Sequence, residues 1–147
     1  MVNEPETFDC KIVDWCEVQN TLYGETREII KSDFNPTSIV GVARGGWMPA
    51  RCVADFLEIN NLTSVKVDHY QGTKKTEEAI LQFDARSVAI DSEDVLVVDD
   101  IVDTGKTLSK SIESIEEKGA RKARSMTIHS IPSSDIQPDY IGKSYDK

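Results

Sequence analysis

The chain has 147 residues, enough for one domain (1–147) with a buried core, and its 17 Lys and Arg against 26 Asp and Glu leave a formal charge of −9. That balance offers no basic face for nucleic acid, and the longest unbroken apolar run, Val95 to Val98, is far short of the ~20 residues that cross a bilayer. The first ten residues lack the basic and apolar regions of a secretory signal, and Cys10, Cys16 and Cys52 contain no Cys-x-x-Cys pair, so reduced, partly buried thiols in a cytoplasmic protein are expected.

Trp15, Val18, Leu22, Thr26, Ile29 and Ile30 fall at helical spacing, and Asn35-Pro36 closes that segment because the residue before proline is driven out of the α region. Ser38 to Ala43 is a β-branched run that reads as a buried strand. Gly45 and Gly46 break it, and Ala50, Val53, Ala54 and Leu57 resume helical spacing, with Pro49 where an early helical turn tolerates it. A strand is predicted over Ser64 to Tyr70. The polar stretch Gln71 to Ile90 that follows carries Lys74 and Lys75 and reads as a lid, with Ile80 to Phe83 able to pair as a hairpin arm. Val95 to Val98 is the clearest strand. Thr107 to Lys118 is the clearest helix, with Gly119 as the residue that ends it. Arg124 to Ile131 gives another strand and Tyr140-Ile141 starts a further one. Strands alternating with helices predict an α/β fold, a mostly parallel sheet flanked by helices, which binds its ligand at the carboxyl ends of the strands.

Chemistry concentrates at two such ends. The thirteen residues Val95-Leu-Val-Val-Asp-Asp-Ile-Val-Asp-Thr-Gly-Lys-Thr107 run from a buried strand through two adjacent carboxylates into a loop that opens a helix. Backbone N–H groups at a helix start, with Thr hydroxyls beside them and Gly105 allowing close approach, make a phosphate cradle. Asp99 and Asp100 repel a phosphate, so they face another part of the same ligand: sugar hydroxyls, or a magnesium ion with its waters. A Walker A loop would need glycine where Asp100 stands. A receiver domain would need more chain than the 47 residues after Asp100. An acidic turn capping a helix explains single residues of the string and leaves the pattern as a whole unexplained.

This string resembles the phosphoribosyl-pyrophosphate signature of the type I phosphoribosyltransferases, and Gly41-Val-Ala-Arg-Gly-Gly-Trp-Met-Pro-Ala-Arg51 resembles their pyrophosphate loop, in particular that of the small xanthine-guanine and hypoxanthine enzymes. The likeness extends from about Cys10 to Tyr140. It implies the type I phosphoribosyltransferase fold with a flexible loop at 71–90, a magnesium cofactor, and small-molecule substrates: phosphoribosyl pyrophosphate and a nucleobase, most directly a 6-oxopurine. It also implies a homo-oligomer. By resemblance Asp99 and Asp100 hold the ribose hydroxyls and, through ribose or water, the metal. Asp103, Thr104, Gly105, Lys106 and Thr107 seat the 5′-phosphate, and Ala43, Arg44, Gly45 and Gly46 take the pyrophosphate, with a cis peptide expected at Ala43-Arg44. Asp103 resembles the carboxylate that faces purine N7 and can exchange a proton with it; the plainer reading is a helix N-cap, and the two roles are compatible.

Two base-reading features of that family are absent. Its purine enzymes carry a Lys before a Pro at the end of the strand after the signature helix. Here Ile131 precedes Pro132, and an apolar side chain donates no hydrogen bond to a 6-oxo group; His129 is a candidate substitute. The aromatic C-terminal hood is also reduced or missing, since both Trp residues, Trp15 and Trp47, lie elsewhere. Two alternatives follow: a regulator that binds phosphoribosyl pyrophosphate or nucleotide without chemistry, and a transferase for a non-purine base.

Overall fold

A computed structural model describes residues 11–69, 79–83 and 90–145. In chain order the elements are α1 (Trp15–Lys31), β1 (Ser38–Ala43), α2 (Trp47–Phe56), β2 (Leu62–His69), β3 (Ala79–Phe83), β4 (Asp94–Val102), α3 (Lys106–Glu117), β5 (Lys122–Ser130) and β6 (Tyr140–Ser144). One six-stranded sheet runs β3-β2-β1-β4-β5-β6. All neighbours are parallel except the edge pair β2/β3, where Val65 stands opposite Phe83 in the predicted hairpin arm. Of the expected lid, residues 71–78, with Lys74 and Lys75, and 84–89 lie outside the described residues, as do Tyr70 and Cys10, while Ile90 is buried in the core.

Each central strand is buried on both faces, which is why β1 and β4 read as unbroken apolar runs. Ile39, Leu96, Val98, Met126 and Ile128 pack under α1 and α2 with Leu22, Ile29, Ala50 and Val53. Val40, Val42, Val95 and Val97 point the other way, to Leu108 and Ile115 of α3. α1 begins at Asp14, whose carboxylate accepts from Glu17 N–H at 2.8 Å. Its predicted stripe is buried at Leu22, Thr26 and Ile29, while Trp15 and Ile30 are exposed, and Cys16 is exposed as well rather than partly buried. Within the described residues no helix is long and apolar enough to cross a membrane.

Gly24 sits inside α1 with nothing within 4 Å of a built Cβ. Glycine in a helix interior carries the entropy of an unrestrained backbone. Gly24→Ala is therefore expected to stabilise the protein by about 0.5–1 kcal/mol, read as a higher urea midpoint at unchanged m-value.

Strand order places the ligand end. β1 has β2 on one side and β4 on the other, so the chain reverses its direction of progress across the sheet between β1 and β4. The loops leaving their carboxyl ends consequently splay to opposite faces and open a crevice. β1 and β4 are in register through Gly41 and Val98, immediately below that crevice.

Candidate active site

The loop after β1 turns tightly: Gly46 N–H donates to Val42 O at 2.8 Å and Trp47 N–H to Arg44 O at 3.2 Å. The Ala43-Arg44 peptide is cis, as expected from the sequence. Arg44 and Gly45 are exposed at the tip and Gly46 is buried beneath them. A Cβ built on Gly45 would fall inside the carboxylate of Asp100, and one on Gly46 would overlap Val98 O and Val42 O. These two glycines are thus required by close approach: the β1 loop lies directly against the end of β4. Gly45→Ala is expected to push Asp100 aside and cut affinity for a ligand bridging the two loops by at least 10-fold, measured by calorimetry, with little change in melting temperature because Gly45 is exposed.

β4 is longer than predicted. It begins at Asp94 and continues through the acids to Val102, because pairing with β5 persists at Asp99–Thr127, Ile101–His129 and Val102–Ser130. Asp99 and Asp100 are therefore strand residues with fixed, alternating directions. Asp99 is 7% exposed, and its Oδ1 accepts from Asp100 N–H at 2.9 Å; Asp100 is half-buried and its Oδ1 accepts from Ile101 N–H at 2.8 Å. Burial pushes the Asp99 carboxyl up to about 8; the Asp100 N–H opposes that rise and the Asp100 charge adds to it. No Lys or Arg among the described residues forms an ion pair with either acid.

Asp103 and Thr104 are exposed in the turn that follows, and Gly105 is the N-cap of α3 in the left-handed region, φ 84°. The N-cap alternative for Asp103 is thereby corrected in position: the N-cap of α3 is Gly105, two residues later. Lys106 N–H has a long 3.4 Å bond to Thr104 Oγ1, and the first N–H groups of a helix, aligned with its dipole, are of the kind that draw an anion. α3 spans Lys106–Glu117, one residue earlier than predicted at each end, and Gly119 follows with φ 93°.

The β5–β6 connection braces this turn, a part the sequence did not reveal. Ile131 N–H donates to Val102 O at 2.9 Å and Asp135 N–H to Thr104 O at 3.3 Å. A Cβ on Gly105 would meet Ser134 Oγ at 2.9 Å and Ile136 Cβ at 3.0 Å. No local pattern in Ser133 to Gln137 signals this role; only the return of the chain to β6 does. Ile131 is half-buried beside the turn and, being apolar, supplies no donor.

The structure therefore brings together Arg44, Gly45, Gly46, Asp99, Asp100, Asp103 and the start of α3, from two loops on adjacent strands. Residues 20–147 match the phosphoribosyl transferase domain family. The chain belongs to that family. It is 32% identical over 133 residues to a xanthine-guanine phosphoribosyltransferase of Idiomarina loihiensis, covering 88% of this chain and 76% of the relative. A xanthine-guanine phosphoribosyltransferase of Ruegeria sp. is 29% identical over 107 residues, 69% of this chain; the chain spans 58% of that relative's length. Among solved structures, a purine phosphoribosyltransferase from Pyrococcus horikoshii superposes with a TM-score of 0.80 at 26% identity, covering 91% of this chain and 86% of that one. The sheet and flanking helices described above are the phosphoribosyltransferase fold, and the two loops at the switch point are those the sequence motifs marked.

Proposed function

We propose that the protein, acting as one domain over residues 1–147, transfers the phosphoribosyl group of phosphoribosyl pyrophosphate to a 6-oxopurine, releasing pyrophosphate and the nucleoside monophosphate. The observation that carries this reading is the contact between the two loops. Gly45 lies against Asp100, so one ligand can reach the β1 loop with its pyrophosphate, the twin acids with its sugar and the start of α3 with its terminal phosphate. The names of the relatives, xanthine-guanine and purine phosphoribosyltransferases, support the acceptor class.

The donor set suits a magnesium ion. Two adjacent carboxylates are what that ion takes from a protein, while substrate oxygens and water complete its shell. Asp99 and Asp100 would hold it through the sugar or a water, and when bound it would neutralise charge building on the leaving pyrophosphate. The remaining work falls to this chain's groups. Arg44 and the backbone of Gly45 and Gly46 orient the pyrophosphate. Asp99 and Asp100 fix the ribose and favour the positive charge that develops on it as the C1–oxygen bond breaks. Thr104, Lys106, Thr107 and the backbone at Gly105 anchor the phosphate, and Asp103 exchanges the proton at purine N7.

The test is pyrophosphate release on mixing the protein with magnesium, the donor and each nucleobase in turn. Release with guanine, hypoxanthine or xanthine supports the reading. Donor binding without release under any base marks a regulator instead, and release only with a pyrimidine marks a different acceptor, the outcome that Ile131 in place of a lysine makes worth including.

A further inference from the structure

Two buried side-chain polar atoms among the described residues have no hydrogen-bond partner, Thr127 Oγ1 and His129 Nε2, two positions apart on β5. Buried polar atoms are nearly always partnered, so an unpartnered one at a ligand-binding strand end points to a group that arrives later. Thr127 is fully enclosed, at 0% exposure, and beyond reach of a ligand. His129 is only half-buried and stands nearer the carboxyl end. Its Cα is in register with Ile101 on one side and Lys143 on the other, one strand away from the stretch that joins the twin acids to Asp103.

Among the described residues, the neighbours of His129 offer Nε2 no partner. Glu17 and Lys143 pair with each other. Tyr145 presents its ring edge-on at 5.2 Å and 64°, and its hydroxyl is taken by Lys11 Nζ at 2.9 Å. Burial, the largest influence, depresses the imidazole pKa, with the charges of Glu17, Lys143, Lys11 and Asp100 following. The ring is thus neutral at pH 7, with one nitrogen a donor and the other an acceptor. Ile131, the next residue on the same side of the strand, has no polar atom in its side chain.

From this placement we infer that His129 is the residue that reads the acceptor base: its ring turns from Tyr145 and donates Nε2–H to the 6-oxo group of a purine held between the end of β5 and Asp103. The inference rests on the transferase reading above and adds the specificity residue it lacks. In the tautomer that carries its proton on Nε2, the ring meets an oxygen as a donor, which favours a 6-oxopurine over adenine.

Two variants and one spectrum test it. His129→Phe keeps the ring packed on Tyr145 and removes both nitrogens; His129→Gln keeps an N–H donor. The Phe variant is expected to lose at least 10-fold in kcat/KM for the accepted oxopurine while KM for the donor stays within two-fold, and the Gln variant to retain a third or more of the wild-type value. The chain has two histidines, so the ring nitrogens of His129 are readily assigned in 15N spectra of the wild type. GMP or IMP should shift them and ribose 5-phosphate should not, a readout that does not depend on any variant folding. Equal kcat/KM in wild type and the Phe variant, or ring signals indifferent to a nucleotide that calorimetry shows to bind, overturns the role of His129 and leaves the transferase reading standing. Absence of pyrophosphate release with every base overturns the transferase reading instead, while a GMP-specific shift at His129 would still support its contact with the base.

Discussion

Asp99→Asn is expected to make the ligand-free protein more stable and at the same time disable it. Asp99 is buried towards the carboxyl end of β4, where its Oδ1 accepts from Asp100 N–H, and its carboxyl is pushed up to about 8 by burial. An unfolded Asp titrates near 4. Between about pH 4 and pH 8 the folded state therefore holds a proton that the unfolded state has released. The stabilising effect of that proton is complete below pH 4 and is lost progressively as pH rises to about 8. Asparagine has the same shape, keeps an oxygen to accept from Asp100 N–H and never ionises. The melting temperatures of variant and wild type should nearly coincide at pH 4 and diverge steadily towards pH 8, with the variant higher by roughly 5 °C or more at pH 7.5. Affinity for phosphoribosyl pyrophosphate, measured above pH 8 where Asp99 is ionised, should fall about 10- to 100-fold, the worth of a charge-assisted hydrogen bond to a sugar hydroxyl. A variant less stable than wild type at pH 7.5 would refute the burial account. Unchanged donor affinity would refute the ribose role.

Asp103→Asn should separate binding from turnover. Gly105, not Asp103, occupies the N-cap position of α3, so the melting temperature of the variant is measured beside its kinetics to separate any loss of stability from a loss of turnover. A carboxylate that exchanges a proton with purine N7 contributes on the order of 100-fold or more to rate. The variant is expected to lose about that much in kcat while KM for the donor changes by no more than two- to three-fold. A matching loss in both parameters would mean that Asp103 serves the phosphate loop rather than the proton.

Much of the fold was legible along the chain because its strands are short and locally distinct. Ser38–Ala43 was bounded correctly at both ends by a Pro-Thr turn and a glycine pair. Ala79–Phe83 pairs antiparallel on β2, the arrangement expected for a hairpin arm. β4 was read short for a physical reason. Two aspartates look like the end of a strand to any local measure, yet β5 offers backbone partners as far as Ser130 and the pairing carries the acids with it. Trp15 and Cys16 look like the opening turn of a buried helix face, but the sheet beneath α1 covers only its middle and carboxyl half.

The sequence by itself determined the chemical inventory: two acids behind an apolar strand, a phosphate loop with glycine where φ must be positive, and a second glycine loop after another strand. Local spacing can announce these because each is a contiguous string with its own backbone requirement. Tertiary structure alone decided that β1 and β4 are neighbours at the switch point, so that Gly45 touches Asp100. It alone set Ser134 and Ile136 against Gly105 and left His129 Nε2 buried without a partner among the described residues. Such relations depend on strand order and on where the chain returns, quantities carried by packing across the whole sheet and by no short stretch of residues.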